Sequence, residues 1–467
     1  MDPSADDSTV TVPYPHRISR VQTNTSARRI YRPRSNGLEP DYLEQEGGEE
    51  DGETTPRGEP SDDQIYNVLN DGKKNMYDSG WRRIVRNFSP SWFSVTMGTG
   101  AVSLLFITIP FKATWLFWLS VVFFALNTVL FATASIISIL RYVLYPEIWS
   151  VMIADPNNSL FLGTIPMGFA TLVEGWIFLC CPYWGDWAIY IAWGAWMLDS
   201  ITALAITAGL SYMLISQSDI KSLERITAAQ LLPIAATIVA AGTGAEVAAI
   251  LKSPEQAIAT LLANYVLWGM SMPLSLTVLV IYYSRLALHK LPPREVIVSS
   301  FLPLGPLGMG GYTILYLGKV ARDRLPQVEL LAHVPIAGDI LYILGLFLAI
   351  TMWAFGLTWL ILASITIWSS RPFPFNMGWW GFTFPLAVFA ISTMTIGVEL
   401  HSFFFKVLGT VFGVAVMFLW GIVAAGTTRG ALNGKLFYAP CLKNLPKHQQ
   451  VDAKVIEAAH ADTGRKA

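Results

Sequence analysis

Four acidic residues lie inside strongly apolar stretches of the sequence: Glu174, Asp199, Glu246 and Glu399. An ionised carboxylate is costly in such surroundings, so each group must be paired, protonated or turned towards water. Glu246 follows the small-residue run 242–244, Gly-Thr-Gly, which breaks the apolar pattern. We expect Glu246 to take up and release a proton, while a structural hydrogen bond to a neighbouring helix remains the alternative.

Other kinds of chemistry have little support in the sequence. The histidines are scattered through the polar ends, the loops and the edges of the apolar stretches, and the three cysteines, Cys180, Cys181 and Cys441, form no metal-binding or disulfide pattern. No nucleophile–base pair is evident, and no glycine-rich phosphate loop lies between a strand and a helix. We therefore expect no cofactor, no bound metal and no enzymatic activity.

The composition is that of a protein with many membrane spans. Of the 467 residues, 53% are hydrophobic and only 14% are charged, and the mean hydropathy is +0.45. A soluble protein carries roughly 25% charged residues, so the excess apolar surface must face lipid. The net charge of −1 gives no indication of a nucleic-acid partner.

The chain divides into three parts by composition. Residues 1–85 are rich in Pro, Ser, Thr, Gly and charge, and are predicted to be a disordered cytoplasmic tail without a cleaved signal peptide. Residues 86–430 form the predicted transmembrane domain, and residues 431–467 a short cytoplasmic tail. The transmembrane part contains about ten apolar runs, each long enough to span a bilayer: 92–110, 114–143, 160–181, 187–215, 229–251, 256–288, 296–318, 338–368, 377–400 and 403–427.

The positions of Lys and Arg at the ends of these runs predict the orientation. Lys and Arg accumulate before the first run and after the even-numbered runs. Because cytoplasmic loops are enriched in these residues, both termini are predicted to lie in the cytoplasm. Lys319, Arg322 and Arg324, which follow the seventh run, are the main exception and are predicted to lie in an outer loop.

The odd-numbered runs share small residues and prolines, whereas the even-numbered runs are longer and bulkier. This alternation predicts five helical hairpins, each with an inner, kinked helix beside a central passage and an outer helix facing lipid. Packing between helices is the alternative explanation for any single motif. The candidate residues along the passage are Gly98, Thr99, Gly100, Gly163, Thr164, Pro166, Gly242, Thr243, Gly244, Gly305, Gly308, Gly310, Gly311 and Thr383.

Four motifs in order resemble a known family. They are NFSPSWFSVTMGTG at 87–100, LFLGTIPMGFAT at 160–171, LPPREVIVSSFLPLGPLGMGGY at 291–312 and WWGFTFPLAVFA at 379–390. These stretches resemble the fungal sulfite efflux pumps of the tellurite-resistance/dicarboxylate transporter family, which also contains malic acid transporters and plant slow anion channels. The resemblance extends from residue 87 to residue 430.

The resemblance implies a fold and a function. The fold is an all-α bundle of ten helices in five hairpins around a pore in each protomer, usually in a homotrimer. The phenylalanine before the proline of the ninth helix closes the pore in channel members, which here is Phe384, although a packing aromatic is the alternative. The implied function is plasma-membrane efflux of sulfite or bisulfite, with a malate or C4-dicarboxylate transporter or an anion channel as the alternative.

Overall fold

The computed structural model describes residues 80–156, 158–216, 223–328, 330 and 333–444, and within them it contains helices and no strand. The ten long helices are α1 (Phe93–Thr108), α2 (Thr114–Leu144), α3 (Thr164–Leu179), α4 (Asp186–Ser216), α5 (Leu231–Ile250), α6 (Pro254–His289), α7 (Leu304–Arg324), α8 (Ala337–Ser369), α9 (Trp380–Glu399) and α10 (Phe403–Leu432). In this part of the chain nine of them are long and apolar enough to cross a membrane, and α7 is the exception because it is less apolar along its whole length. The predicted all-α membrane fold is confirmed.

Odd-numbered and even-numbered helices differ in length and burial. The odd-numbered helices have 16 to 21 residues and the even-numbered helices 30 to 36. The most apolar window is 100% buried in α5 but only 11% buried in α2. An apolar helix that remains exposed over most of its surface must face lipid. The odd-numbered helices are therefore the inner helices, and the even-numbered helices surround them.

The five inner helices form a closed ring. Contacts join α1 to α3, α3 to α5, α5 to α7, α7 to α9 and finally α9 back to α1. Each inner helix also packs on the outer helix that follows it in the chain. Because inner and outer helices alternate, all five inner helices run in the same direction, and their N-terminal ends meet on one face of the ring.

Glycine allows close approach between neighbouring inner helices. A Cβ atom added at Gly308 of α7 would lie 2.8 Å from the Phe389 backbone of α9. A Cβ atom at Gly163, just before α3, would lie 2.6 Å from the Leu232 carbonyl oxygen of α5. Both distances are shorter than a van der Waals contact, so these helices touch backbone to backbone.

Gly305 and Gly308 provide a matched test of this packing. We expect Gly308→Ala to lower the stability of the protein by about 1–3 kcal/mol, because the added methyl group clashes with backbone that cannot move freely. Gly305→Ala on the same helix should leave stability nearly unchanged, because its Cβ would meet no atom within 4 Å. Thermal unfolding of both variants in detergent measures the difference, and equal melting temperatures would contradict the backbone contact.

Prolines mark the starts of three inner helices. Pro166, Pro233 and Pro306 each occupy the third position of their helix, in α3, α5 and α7. The first turn of a helix has N–H groups without a helical partner in any case, so proline costs little there. The stretch 304–324 is accordingly one uninterrupted helix. Among the inner helices, only α9 has a proline inside the helix, which is Pro385.

The end of α7 differs from the predicted outer loop at 319–324. The helix continues to Arg324, because its charged side chains find partners on neighbouring helices. Lys319 Nζ lies 2.7 Å from Glu399 Oε1 of α9, and Arg324 donates a hydrogen bond of 2.6 Å to the carbonyl oxygen of Ala249. Arg322 lies over the ring of Tyr342 in α8, 4.2 Å from its centroid, so all three cations predicted in this loop contact neighbouring helices.

The residues after α10 fold back onto the N-terminal face of the ring. We call residues 433–444 the C-terminal strap. Phe437 stacks on Trp92 with 5.0 Å between ring centroids, and the Ala439 amide donates to Asn87 Oδ1 at 3.2 Å. Cys441 is fully buried next to Arg141. The strap belongs to the predicted tail 431–467, whereas residues 445–467 and the predicted tail residues 1–79 lie outside the described residues.

Candidate anion pathway

A small cavity lies on the axis of the ring. Every inner helix contributes to its wall, including Leu104 of α1, Glu174 of α3, Glu246 of α5, Tyr312 of α7 and Phe384 of α9. Its volume is about 20 Å³, which is room for about one water molecule. We call it the axial cavity. A polyatomic anion does not fit in it without movement of the wall, so the axis is closed in this conformation.

A much larger space opens at the N-terminal ends of the inner helices. We call it the vestibule, and its volume is about 530 Å³. Residues at the start of each inner helix line it, and so do residues of the strap, including Lys435. A 3₁₀ turn precedes each inner helix and bonds its first N–H groups, so what the helix ends offer an anion here is their partial positive charge. The carboxylates of Asp155 and Glu295 also line this space and oppose that charge. The vestibule therefore presents small anions with the partial positive charge of five helix ends.

Phe384 is the first residue of α9 that lines the axial cavity. Along α9, Gly381 lines the vestibule, while Phe384, Val388 and Ile391 line the axial cavity. Residues three or four positions apart share one face of a helix, so this face of α9 leads from one space to the other. Phe384 is 4% exposed and lies one helical turn beyond Gly381, at the end of the axial cavity nearer the vestibule.

Two carboxylates in the wall of the axial cavity have hydroxyl partners. Tyr312 Oη donates a hydrogen bond of 2.5 Å to Glu246 Oε1, and Thr243 Oγ1 donates one of 2.8 Å to Glu174 Oε1. Thr243 and Glu246 lie three residues apart on one face of α5, so the two hydrogen-bonded pairs are neighbours. Both carboxylates are almost fully buried, with 5% exposure for Glu174 and 3% for Glu246.

The other two predicted membrane carboxylates lie elsewhere. Asp199 of α4 is 1% exposed and neither carboxylate oxygen has a hydrogen-bond partner among the described residues. Glu399 pairs with Lys319 and accepts a hydrogen bond of 2.9 Å from Tyr342 at the C-terminal end of the inner helices. Neither residue lines the axial cavity.

The predicted threonines have different surroundings. Thr164 lines the vestibule, where its hydroxyl donates to the Phe161 carbonyl oxygen at 2.6 Å. Thr99 accepts a hydrogen bond from Trp420 Nε1 of α10 at 3.1 Å, and Thr383 donates to the Trp380 carbonyl oxygen at 2.8 Å. Thr243 reaches the axial cavity indirectly, through its hydrogen bond to Glu174.

Most predicted glycines contact neighbouring helices. A Cβ atom would meet side chains at Gly98, Gly100, Gly242, Gly244 and Gly310, and backbone at Gly163, Gly308 and Gly311. Gly305 faces open space, and Pro166 lies in the first turn of α3. None of these ten residues lines the two described spaces. Their contact with a passing anion therefore stays a prediction. In the structure, most of them allow neighbouring helices to pack closely.

Twelve residues line the axial cavity, and sequence reasoning gave a role in the passage only to Glu246 and Phe384. Tyr312, Met309 and Phe178 are among the side chains that it missed. It recognised Glu174 as an ionisable group in the membrane and gave it no role in the passage. The sequence did carry a signal for Glu174, because a carboxylate in an apolar stretch needs a hydrogen-bond partner or a proton. That partner is Thr243, which is 69 residues away in the chain and becomes a neighbour only through the contact of α3 with α5.

Comparison with known proteins agrees with this architecture. Residues 87–428 match the family described as SLAC1, voltage-dependent anion channel. The chain is 46% identical over 378 residues to the sulfite efflux pump SSU1 of Arthroderma otae, which covers 81% of this chain and 100% of the relative. It is 30% identical to the sulfite efflux pump SSU1 of Candida albicans, with 72% of each chain covered. It is also 22% identical to the malic acid transport protein of Schizosaccharomyces pombe, over 76% of this chain and 81% of the relative.

The family match includes all ten long helices up to the last turn of α10, and therefore the ring, the axial cavity and Phe384. It thus agrees with the resemblance of the four sequence motifs, and the chain belongs to the SLAC1 family of voltage-dependent anion channels.

Proposed function

We propose that this chain is a plasma-membrane transporter that exports sulfite or bisulfite from the cytosol and so confers tolerance to sulfite. The observation that carries the proposal is the pair of spaces inside the ring, with five helix N-termini at the vestibule and Phe384 in the wall of the axial cavity. Such helix ends bind small oxyanions without a fixed cation. Relatives at 46% and 44% identity are sulfite efflux pumps, which supports the choice of anion.

The anion passes from the vestibule along the face of α9 that carries Phe384. We propose that the Phe384 ring closes this route and moves aside for the anion. Glu246, in the wall beyond Phe384, binds a proton and so keeps the passage free of negative charge. The small residues of the inner helices bring the five backbones close enough to keep the passage narrow.

The proposed orientation places the vestibule and both termini in the cytosol. On the face that carries the vestibule, the described residues include several cations near helix ends, as the positive-inside rule requires of a cytoplasmic face. They are Arg82, Arg83, Arg86, Arg141, Arg285, Lys290, Arg294, Arg371, Arg429 and Lys435. The exposed outer helices would meet lipid and, in the proposed homotrimer, two further copies of the chain.

A malate or other C4-dicarboxylate transporter, or an anion channel, is the second candidate. The similarity to a malic acid transport protein favours it. A dicarboxylate carries two charges and needs fixed cations along its route, but none of the residues lining the axial cavity is Lys, Arg or His. This composition favours a small anion with one charge.

Expression in a sulfite-sensitive fungal strain tests the proposal. We expect the intact chain to restore growth on sulfite and to lower the intracellular sulfite concentration, with a fluorescent fusion located at the plasma membrane. The matched control is a strain that carries the empty vector. Restored growth on malate without any gain in sulfite tolerance would favour the dicarboxylate candidate instead.

A further inference from the structure

The axial cavity holds two carboxylates and no compensating cation. Glu174 and Glu246 both line it, and Lys, Arg and His are absent from the lining residues. The only described hydrogen-bond donors to them are the hydroxyls of Thr243 and Tyr312. One oxygen of Glu246, Oε2, is buried without a partner. A buried carboxylate oxygen without a hydrogen-bond partner is costly when the group is ionised, and protonation of the group removes most of that cost.

Two ionised carboxylates are not stable in this arrangement. Each buried charge without a counter-ion loses its hydration without compensation, and the two charges also repel each other. Interacting carboxylates of this kind titrate as a pair, so their protons belong to the pair rather than to either residue. An anion entering the axial cavity would add a third negative charge to the same small space.

The titratable groups that face this pair from neighbouring helices do not compensate its negative charge. Asp199 of α4 faces Glu174, and Tyr312 and Tyr316 of α7 face Glu246, with 5.5 Å between the two tyrosine rings. These groups are acidic or neutral, so none of them supplies positive charge. The residues that α1 and α9 contribute to the cavity wall are not titratable.

We propose that Glu174 and Glu246 act together as a proton-binding pair and that the anion passes only when both are protonated, as a monoanion such as bisulfite. This inference rests on the proposed function and names the species that is carried. An ionised pair repels every anion from the axial cavity, and a dianion more than a monoanion. No bond is made or broken in the anion, and the protons of the pair exchange with water.

The rate of sulfite release from proteoliposomes at several pH values tests whether the pair must be protonated. Total sulfite is adjusted at each pH so that the bisulfite concentration stays constant. The remaining pH dependence then belongs to the protein. We expect the flux of the unaltered protein to fall as pH rises, by up to about tenfold per pH unit where the pair loses a proton. Glu174→Gln and Glu246→Gln should each retain a fall, because one carboxylate remains, and the double variant should show none.

The control is Asp199→Asn, which removes a buried carboxylate outside the cavity wall and should retain the fall. A flux independent of pH in the unaltered protein would overturn the proposal. It would also be overturned if Glu246→Gln alone abolished the pH dependence, because Glu174 would then have no part in it. Absence of sulfite release at every pH would instead refute the proposed function.

Infrared spectra of the purified protein in lipid give a second, independent measurement. At neutral pH we expect the unaltered protein to show a C=O stretching band of protonated carboxyl groups that is weaker in the double variant Glu174→Gln, Glu246→Gln. Glutamine keeps the shape of glutamate, so the fold is preserved. Identical spectra in this region would mean that the pair holds no proton, whatever the flux shows.

Discussion

Replacement of Phe384 by alanine is expected to raise the passive leakage of sulfite at least about tenfold, which corresponds to a barrier lower by about 1.4 kcal/mol. The reason is steric, because the ring of Phe384 fills part of the wall of an axial cavity of only about 20 Å³, one helical turn from the vestibule residue Gly381. Alanine removes the ring and joins the two spaces. The measurement is the rate of sulfite loss from proteoliposomes that contain equal amounts of each protein.

Phe382→Ala is the matched control for this change. Phe382 lies two residues away on α9 and is 7% exposed, but it packs against Phe301, with 5.1 Å between ring centroids, and does not line the axial cavity. Its loss should lower stability by about 3–5 kcal/mol without opening the axis. Equal leakage from both variants would show that a general loosening of the bundle, and not the position of Phe384, controls the flux.

Replacement of Arg141 by methionine is expected to release the C-terminal strap and to lower the stability of the protein by about 2–4 kcal/mol. Arg141 is fully buried near the C-terminal end of α2. Its guanidinium donates a hydrogen bond of 2.6 Å to the Phe88 carbonyl oxygen and lies 3.9 Å from Cys441 Sγ. Methionine is unbranched like the aliphatic part of arginine, but it is shorter and has no N–H donor, so both contacts are lost.

Alkylation of Cys441 by a maleimide reports on the strap. Burial raises the pKa of the Cys441 thiol, so the docked strap should react slowly. We expect Arg141→Met to speed the alkylation of Cys441 and to lower the melting temperature. Mass spectrometry of the peptide that contains Cys441 measures the alkylation. Arg429→Met, at the exposed end of α10, is the control and should change neither. Unchanged alkylation in Arg141→Met would mean that Arg141 does not hold the strap.

The helices and their order could be predicted from hydropathy, because a membrane span needs a long apolar run whatever its neighbours are. The division into inner and outer helices could also be predicted, since small residues accumulate where helices touch. The position at which α7 ends could not be predicted from the sequence. Lys319 and Glu399 are 80 residues apart in the chain, and only the contact of α7 with α9 turns a predicted loop cation into part of an ion pair.

The wall of the axial cavity was harder to predict than the helices. Conspicuous residues such as Gly308 mark contacts between backbones, because a residue without a side chain permits close approach. The side chains that face the axis depend on how each helix is rotated, and the sequence alone does not give this rotation. Phe384 was identified through the family resemblance, whereas Tyr312 became visible only once α5 and α7 were seen to be in contact.

The most direct test of the account is the release of sulfite and of malate from proteoliposomes that contain the purified, unaltered protein, compared with protein-free liposomes. Each anion is loaded separately at the same concentration and pH. We expect sulfite to be released faster than from the protein-free liposomes and malate to be retained. Release of malate without sulfite, or of neither anion, would contradict the proposal that this ring of helices exports sulfite.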